Sequence, residues 1–382
     1  MSLNKIDIES LKIILSAQSS LDSGSFIGPF ENKEESFKFY NSYGFDLNDP
    51  IEGAELFGIF QESMQFIKRY FLKPDNAEGL DLSIPNVFYT ITDVADLSLI
   101  SSKNLNLEIS EEESLWASII IKVMHTILHT DKDLRYHYFT TIQTQVFDRF
   151  YKYLVRDEED GLYLAGEGDE KIPLHDFETK SNKTRESTII KLLHKKENVA
   201  EELFDRIGVR FITKNKLDII RVINFLKENY IIITNNIKPS RSVNTMFDTS
   251  KLDKLLDENV CEEDILSECG KNDNEHTSKD YKAVHFTTRQ LIKYQNPFIK
   301  ELNAIRQLAT KEEDSELASK ILSLETKEIA QSIRFFYPYE VQITDIESHR
   351  QNTEGKASHK DYKKSQLISA MNRLFKPLLE IL

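Results

Sequence analysis

Through the first third of the chain the apolar positions recur at helical intervals. In "AELFGIFQESMQFIKRYFL", Leu56, Phe60, Ile67 and Phe71 share one side of a helix. "SLWASIIIKVMHTILH" is apolar nearly all round, which predicts a central helix buried on every side, too short to span a bilayer. The stretch "RDEEDGLYLAGEGDEKIPLHDFETKSN" replaces this periodicity with acidic residues, glycines and a proline, and reads as a boundary loop or linker. Beyond it the pattern alternates. A basic helix, "KTRESTIIKLLHKK", precedes "ENVAEELFDRIGVRFIT", where a helical stretch runs into a strand. "KLDIIRVINFLKENY" follows as an amphipathic helix with Ile219, Ile223 and Leu226 on one side. "KAVHFTTR" and "YEVQIT" have period two, and the second sets Tyr339, Val341 and Ile343 against Glu340, Gln342 and Thr344. The C-terminal "SQLISAMNRLFKPLLEIL" closes with a helix. These patterns predict an α+β protein: a helical N-terminal half over residues 1–175 ending in an acidic linker, then a mixed β-sheet domain flanked by helices over 176–382. The turn-rich acidic stretch around 245–278 reads as an insertion into that second domain.

Composition narrows the functional classes. A chain of 382 residues, 40% hydrophobic and 29% charged, is long enough for two ordinary domains and is not compositionally disordered. Its net charge of -14 excludes a protein that holds long duplex nucleic acid through general phosphate contacts. The start, "MSLNKIDIESLKIIL", lacks the basic and then apolar layout of a signal peptide, and no run of eighteen or more apolar residues occurs, so a soluble cytoplasmic protein without membrane contact is expected. Cys261 and Cys269 lie in the acidic segment without histidines at metal spacing, which suggests neither a disulfide framework nor a zinc site. His125 and His129 stand one helical turn apart with Asp131 and Asp133 just beyond. That resembles a metal constellation, but no HExxH pattern supports it, and buried or cap-proximal histidines are commoner.

The basic helix carries the first candidate chemistry. Lys183, Ser187 and Lys191 fall at steps of four, with Lys195 continuing the row. Alone, such a row most often marks a solvated face; on an acidic chain it can also mark a local site for a polyanion.

Four segments in this order, "KTRESTIIKLLHKKENVAEELFDRIGVRFIT", "DYKAVHFTT", "YEVQIT" and "EGKASHKDYKK", resemble the motifs of the RelA/SpoT-like synthetase domain, the alarmone pyrophosphokinases. The resemblance covers roughly the C-terminal half outside the acidic insertion, and "ELFDRIGVRF" is its most specific piece; the helical first half is similar to an uncharacterised RelA/SpoT-like family of comparable length. It implies a nucleotidyltransferase-like sheet domain that moves the β,γ-pyrophosphate of ATP to the 3'-hydroxyl of GDP or GTP, making (p)ppGpp with Mg2+. By the resemblance Asp205 holds magnesium, and Glu340 completes the metal site or orients the acceptor hydroxyl. Lys183, Ser187, Lys191 and Arg210 look like the ATP-phosphate group. Tyr281 is similar to the guanine-stacking tyrosine and His285 to the histidine of the same motif, while Gln342, His359 and Lys363 match positions in the last two motifs. Departures from the pattern bear on the acceptor. Ser181, Lys282 and Thr344 stand where the family carries arginine, and Asp280 where it carries glycine. Arg185 offers a replacement cation for the first of these. Three functions follow: pyrophosphate transfer to a guanosine nucleotide, the same transfer to the 3' end of tRNA, or a catalytically inactive nucleotide-sensing or partner-binding module. The adjacent His-Asp pair of the family's hydrolase domain does not occur in "HTILHTDKD".

Overall fold

Side-chain caps set the helix starts of the first half. Helix α1 (Lys33–Tyr43) begins on Asn32, α2 (Pro50–Phe71) on Asp49 followed by a proline, and α3 (Val94–Ser101) on Asp93, each cap accepting a backbone N–H of the first turn. Helix α4 (Glu111–Asp131) starts in a capping box, in which Ser110 and Glu113 satisfy each other's backbone N–H groups. The computed structural model describes residues 13, 15–16, 19–23, 26–73, 75–103, 108–133, 135, 138–158, 161–166, 171–180, 184–195, 206–251, 281–311, 315–324, 332–354 and 359–382, with side chains from residue 363 onward in the last stretch. The remaining elements are α5 (Phe139–Tyr151), β1 (Leu154–Asp157), β2 (Gly161–Ala165), β3 (Lys171–Lys180), α6 (Arg185–His194), β4 (Gly208–Thr213), α7 (Leu217–Glu228), β5 (Ile237–Asn244), β6 (Val284–Gln295), α8 (Pro297–Ala309), α9 (Glu316–Ser323), β7 (Ser332–Asp345), α10 (Ile346–Glu354) and α11 (His359–Leu379). The protein is α+β, as the patterning predicts. Among the described residues no helix is long and apolar enough to cross a membrane.

Apolar side chains gather in two clusters. The first joins α2, α3 and α4 to α6 and α11: Phe60, Ile67 and Phe71 meet Trp116, Ile120 and Ile127, with Ile189 and Leu193 of α6 and Leu374, Phe375 and Leu378 of α11 completing the core. Phe375 stands edge-on to both Trp116 and Phe71, with ring centroids 5.5 and 5.9 Å apart. Helix α4 is the buried central helix that its apolar composition predicts.

The second cluster lies under a seven-stranded sheet of order β1-β2-β3-β4-β7-β6-β5, in which only β4 and β7 run parallel. One sheet face packs on α5 and α7 through Phe150, Val146, Ile219, Val222 and Leu226, which meet Val209, Phe211, Tyr339, Val341 and Ile343. Strand alternation then turns Arg210, Glu340 and Gln342 to the opposite face.

The stretch expected to be a linker is instead a three-stranded antiparallel meander, β1 to β3. Leu162 pairs with Leu174 and Leu164 with Ile172, three of the four buried, and Gly161, at φ 78°, turns the chain between β1 and β2. Strands of four and five residues, with acids and glycines between them, carry too short an alternation to stand out in the sequence. Met246 and Phe247, at the start of the expected acidic insertion, are buried in the sheet core; residues 252–280 of it lie outside the described residues.

Candidate functional site

The polar sheet face is built by register. Arg210 of β4 stands between Glu178 of β3 and Gln342 of β7, and Gln342 faces His285 of β6, so four adjacent strands place polar side chains in one row. The Arg210 guanidinium donates through Nη1 to Glu178 Oε2 at 2.7 Å and through Nε to Gln342 Oε1 at 3.0 Å. Gln342 Nε2 donates in turn to Glu340 Oε2 at 3.0 Å. The row is therefore a continuous chain from a carboxylate through a guanidinium and an amide to a second carboxylate. Each member is half-exposed, and ion pairs as open as Glu178 and Arg210 contribute at most about 1 kcal/mol. Their effect is orientation: Arg210 has two of its donor edges fixed, which sets the plane of the rest.

Glu340 is seated closely. Its backbone pairs with Gly208 across the parallel ladder, and its N–H donates to Ile207 O at 2.9 Å. A Cβ at position 208 would lie 3.3 Å from Glu340 O and 3.5 Å from Glu340 Cβ, so a side chain there would crowd the Glu340 backbone, and glycine lets the two strands lie close.

Tyr281 completes the cluster from the segment leading into β6. Burial pushes its hydroxyl up to about 12, Arg210 opposes that rise and Glu340 adds to it, so the phenol stands within electrostatic reach of both. His349 of α10 closes the other end, with Nε2 3.9 Å from Glu178 Oε1. Burial holds the His349 imidazole below its ordinary value, against the pull of Glu178.

The other sequence-derived residues are placed differently. Asp205 and Lys183 lie outside the described residues. Ser187 is in the first turn of α6, where its N–H donates to the cap Thr184 Oγ1 at 3.2 Å. Lys191, one turn on, is buried. His359 opens α11, its side chain outside the described residues, and Lys363 is exposed on the same helix. Arg185 does not serve as the replacement cation for position 181. Its guanidinium is spent on the helical half, bidentate to Asp131 with both contacts at 2.6 Å and paired with Glu62, because α6 packs on α4. Next to Asp205, Arg206 is likewise turned to that half, its Nη1 3.3 Å from Asp133 Oδ2.

Sequence reasoning missed Glu178 and His349. Glu178 sits in the stretch read as a linker; alternation from Ile172 and Leu174 would turn it inward, and an irregularity between Leu174 and Asp176 shifts the parity, so that Phe177 packs on the core and Glu178 faces Arg210. No local signal marks His349, which reaches the site only because α10 follows β7 directly.

No family model matches the chain, and no curated protein matches it at a significant level. Among solved structures it is similar to small alarmone synthetase 2 from Bacillus subtilis, at 14% identity over 66% of this chain and 97% of that one, with a TM-score of 0.29. It is similar to small alarmone synthetase 1 from Bacillus subtilis bound to its product pppGpp, at 14% identity over 63% and 88% of the two chains, TM-score 0.24. A GTP pyrophosphokinase family protein from Streptococcus pneumoniae shares 10% identity over 64% and 87%, TM-score 0.25. Likeness this loose assigns neither an activity nor a residue role.

Proposed function

We propose that the chain is a magnesium-dependent nucleotide pyrophosphokinase that transfers the β,γ-pyrophosphate of ATP to the 3'-hydroxyl of a guanosine nucleotide. The observation that carries this reading is the linked row Glu178, Arg210, Gln342 and Glu340 with Tyr281 beside it, on the face of the sheet that the core leaves free. Transfer of a charged phosphoryl group asks the protein chiefly for positioning and for charge to offset charge. Arg210, held in plane, offers a guanidinium to the phosphates, joined in this reading by Lys183, Ser187 and Lys191.

Glu340 suits magnesium. Its carboxylate supplies the hard oxygen that the ion prefers, and one or two protein carboxylates plus substrate phosphates are its usual complement. Among the described residues no group of three or more His, Cys, Asp or Glu could hold a metal by itself, so here the ion would enter with the nucleotide on Glu340 and Asp205. Bound there, it would neutralise phosphate charge. In the transfer the acceptor's 3'-oxygen forms a bond to the β-phosphorus, the bond from that phosphorus to the oxygen it shares with the α-phosphate breaks, and AMP leaves with that oxygen. Glu340 would ligate the ion or orient the attacking hydroxyl, whose proton would pass to the Glu340 carboxylate in the second case and to solvent in the first. Tyr281 supplies an aromatic face for the acceptor base.

The test is transfer of label from γ-labelled ATP, with magnesium, to GDP, GTP and deacylated tRNA offered separately. Label in the guanosine nucleotide supports the reading. Label in tRNA keeps the chemistry and moves the acceptor. Label in none of the three overturns the enzyme reading in favour of a nucleotide-sensing module.

A further inference from the structure

Residues 281–283 form a short strap ahead of β6 whose backbone is held from two sides. On one side Thr245, just past β5, donates its N–H and its hydroxyl to Ala283 O at 3.2 and 3.1 Å, and its Oγ1 accepts from Ala283 N–H at 2.9 Å. On the other side Asn352, from α10, takes both polar groups of Lys282: Oδ1 accepts from Lys282 N–H at 3.1 Å, and Nδ2 donates to Lys282 O at 2.9 Å. Thr344 Oγ1 donates to the same carbonyl at 3.1 Å.

A carboxamide carries an acceptor and a donor side by side in one plane. That pair matches the N–H and C=O that an extended residue presents along one edge, so Asn352 does for Lys282 what a neighbouring strand would do. These bonds lie beyond the β6–β7 ladder, whose register begins at Val284 opposite Ile343. What they fix is the residue in front of Lys282, which is Tyr281. Positions 282 and 344, both arginine in the family pattern, are joined here by a neutral hydrogen bond, leaving the acceptor side of the site to be shaped by backbone placement.

We propose that Asn352 is a positioning residue for the acceptor: by clasping the Lys282 backbone it sets the Tyr281 ring against which the purine of a guanosine nucleotide stacks. This rests on the pyrophosphokinase reading and deepens it, since it assigns acceptor recognition to a helix outside the strands that carry Arg210 and Glu340.

The experiment compares the full chain with Asn352→Ala, Asn352→Asp, Tyr281→Ala and the Asn352→Ala, Tyr281→Ala double variant, measuring KM for GDP and for ATP, and the Kd for GDP by calorimetry. Asn352→Ala raises the KM and Kd for GDP on the order of tenfold relative to any change for ATP, because a small misplacement of a positioning group is costly. Asn352→Asp sets a carboxylate oxygen against the Lys282 carbonyl in place of the donor, so it loses at least as much GDP affinity as alanine, and it carries the test if the alanine variant does not fold. In the Tyr281→Ala background, Asn352→Ala adds nothing further, since both act through one ring. Equal loss of GDP and ATP affinity, or a full Asn352→Ala effect persisting without Tyr281, overturns the inference. If the unaltered protein binds and uses GDP while Asn352→Ala behaves identically, only the inference falls. If it neither binds GDP nor transfers pyrophosphate to it, the pyrophosphokinase reading falls and the inference with it.

Discussion

Arg210 is the residue on which the site turns, because its guanidinium bonds to polar side chains of both neighbouring strands, Glu178 of β3 and Gln342 of β7. Arg210→Lys keeps the charge and loses the planar, two-edged contact. Pyrophosphate transfer should fall roughly tenfold or more, the scale of one charge-assisted hydrogen bond. The melting temperature should barely move, since the Glu178 pair is too exposed to support the fold. Steady-state kinetics alongside a thermal melt check both halves, and a large loss of stability would show that Arg210 is structural. Glu340 and Gln342 were legible because alternation in "YEVQIT" separates inward from outward residues, and Arg210 was reached through the resemblance. Glu178 was not, for its strand alternates weakly among acids, and the clasp of Asn352 on Lys282 spans 70 residues, a distance no local pattern reports.

Helix α4 is the element with the most to lose. Its His125 is held well below the ordinary 6.5, at about 3, first by burial and then by the neighbouring His129, while its Nδ1 lies 2.7 Å from the Tyr43 hydroxyl. The native state therefore binds fewer protons than the unfolded chain between these two values, and stability falls as pH falls from 6.5 toward 3. His125→Asn leaves an acceptor near the position of Nδ1 and does not titrate, so urea midpoints across this window should flatten; an unchanged slope would place the acid sensitivity elsewhere. Just past the helix, Asp133 is nearly buried between Arg135 and Arg206. Asp133→Ala leaves the buried Arg206 and the part-buried Arg135 without the carboxylate they share and should cost about 3 kcal/mol by urea denaturation, the lower end for a broken buried pair. A loss under about 1 kcal/mol would mean that the arginines find other partners. The helix itself was plain in the sequence from its apolar run. Its acidic end, holding Arg185 and Arg206, was not, because those arginines are 54 and 73 positions from Asp131 and Asp133 and only the folded packing brings them back.

At the scale of the whole molecule, α6 and α11 come from the C-terminal half of the chain yet pack into the core of the N-terminal helices, while the meander β1 to β3 extends the sheet that carries the site. The α+β class was readable from periodicity, but which helix joins which core depends on long-range apolar contacts such as Phe375 with Trp116, which no window of sequence contains. The central claim, that this sheet face transfers pyrophosphate, is tested most directly by product stoichiometry. With ATP, GDP and magnesium, the full chain should form AMP and a guanosine 3'-pyrophosphate in equal amounts. Glu340→Gln, which keeps the shape and removes the charge, should stay folded and slow that reaction on the order of 10² to 10³. Conversion of ATP to ADP and phosphate, or an undiminished rate in Glu340→Gln, would contradict the account.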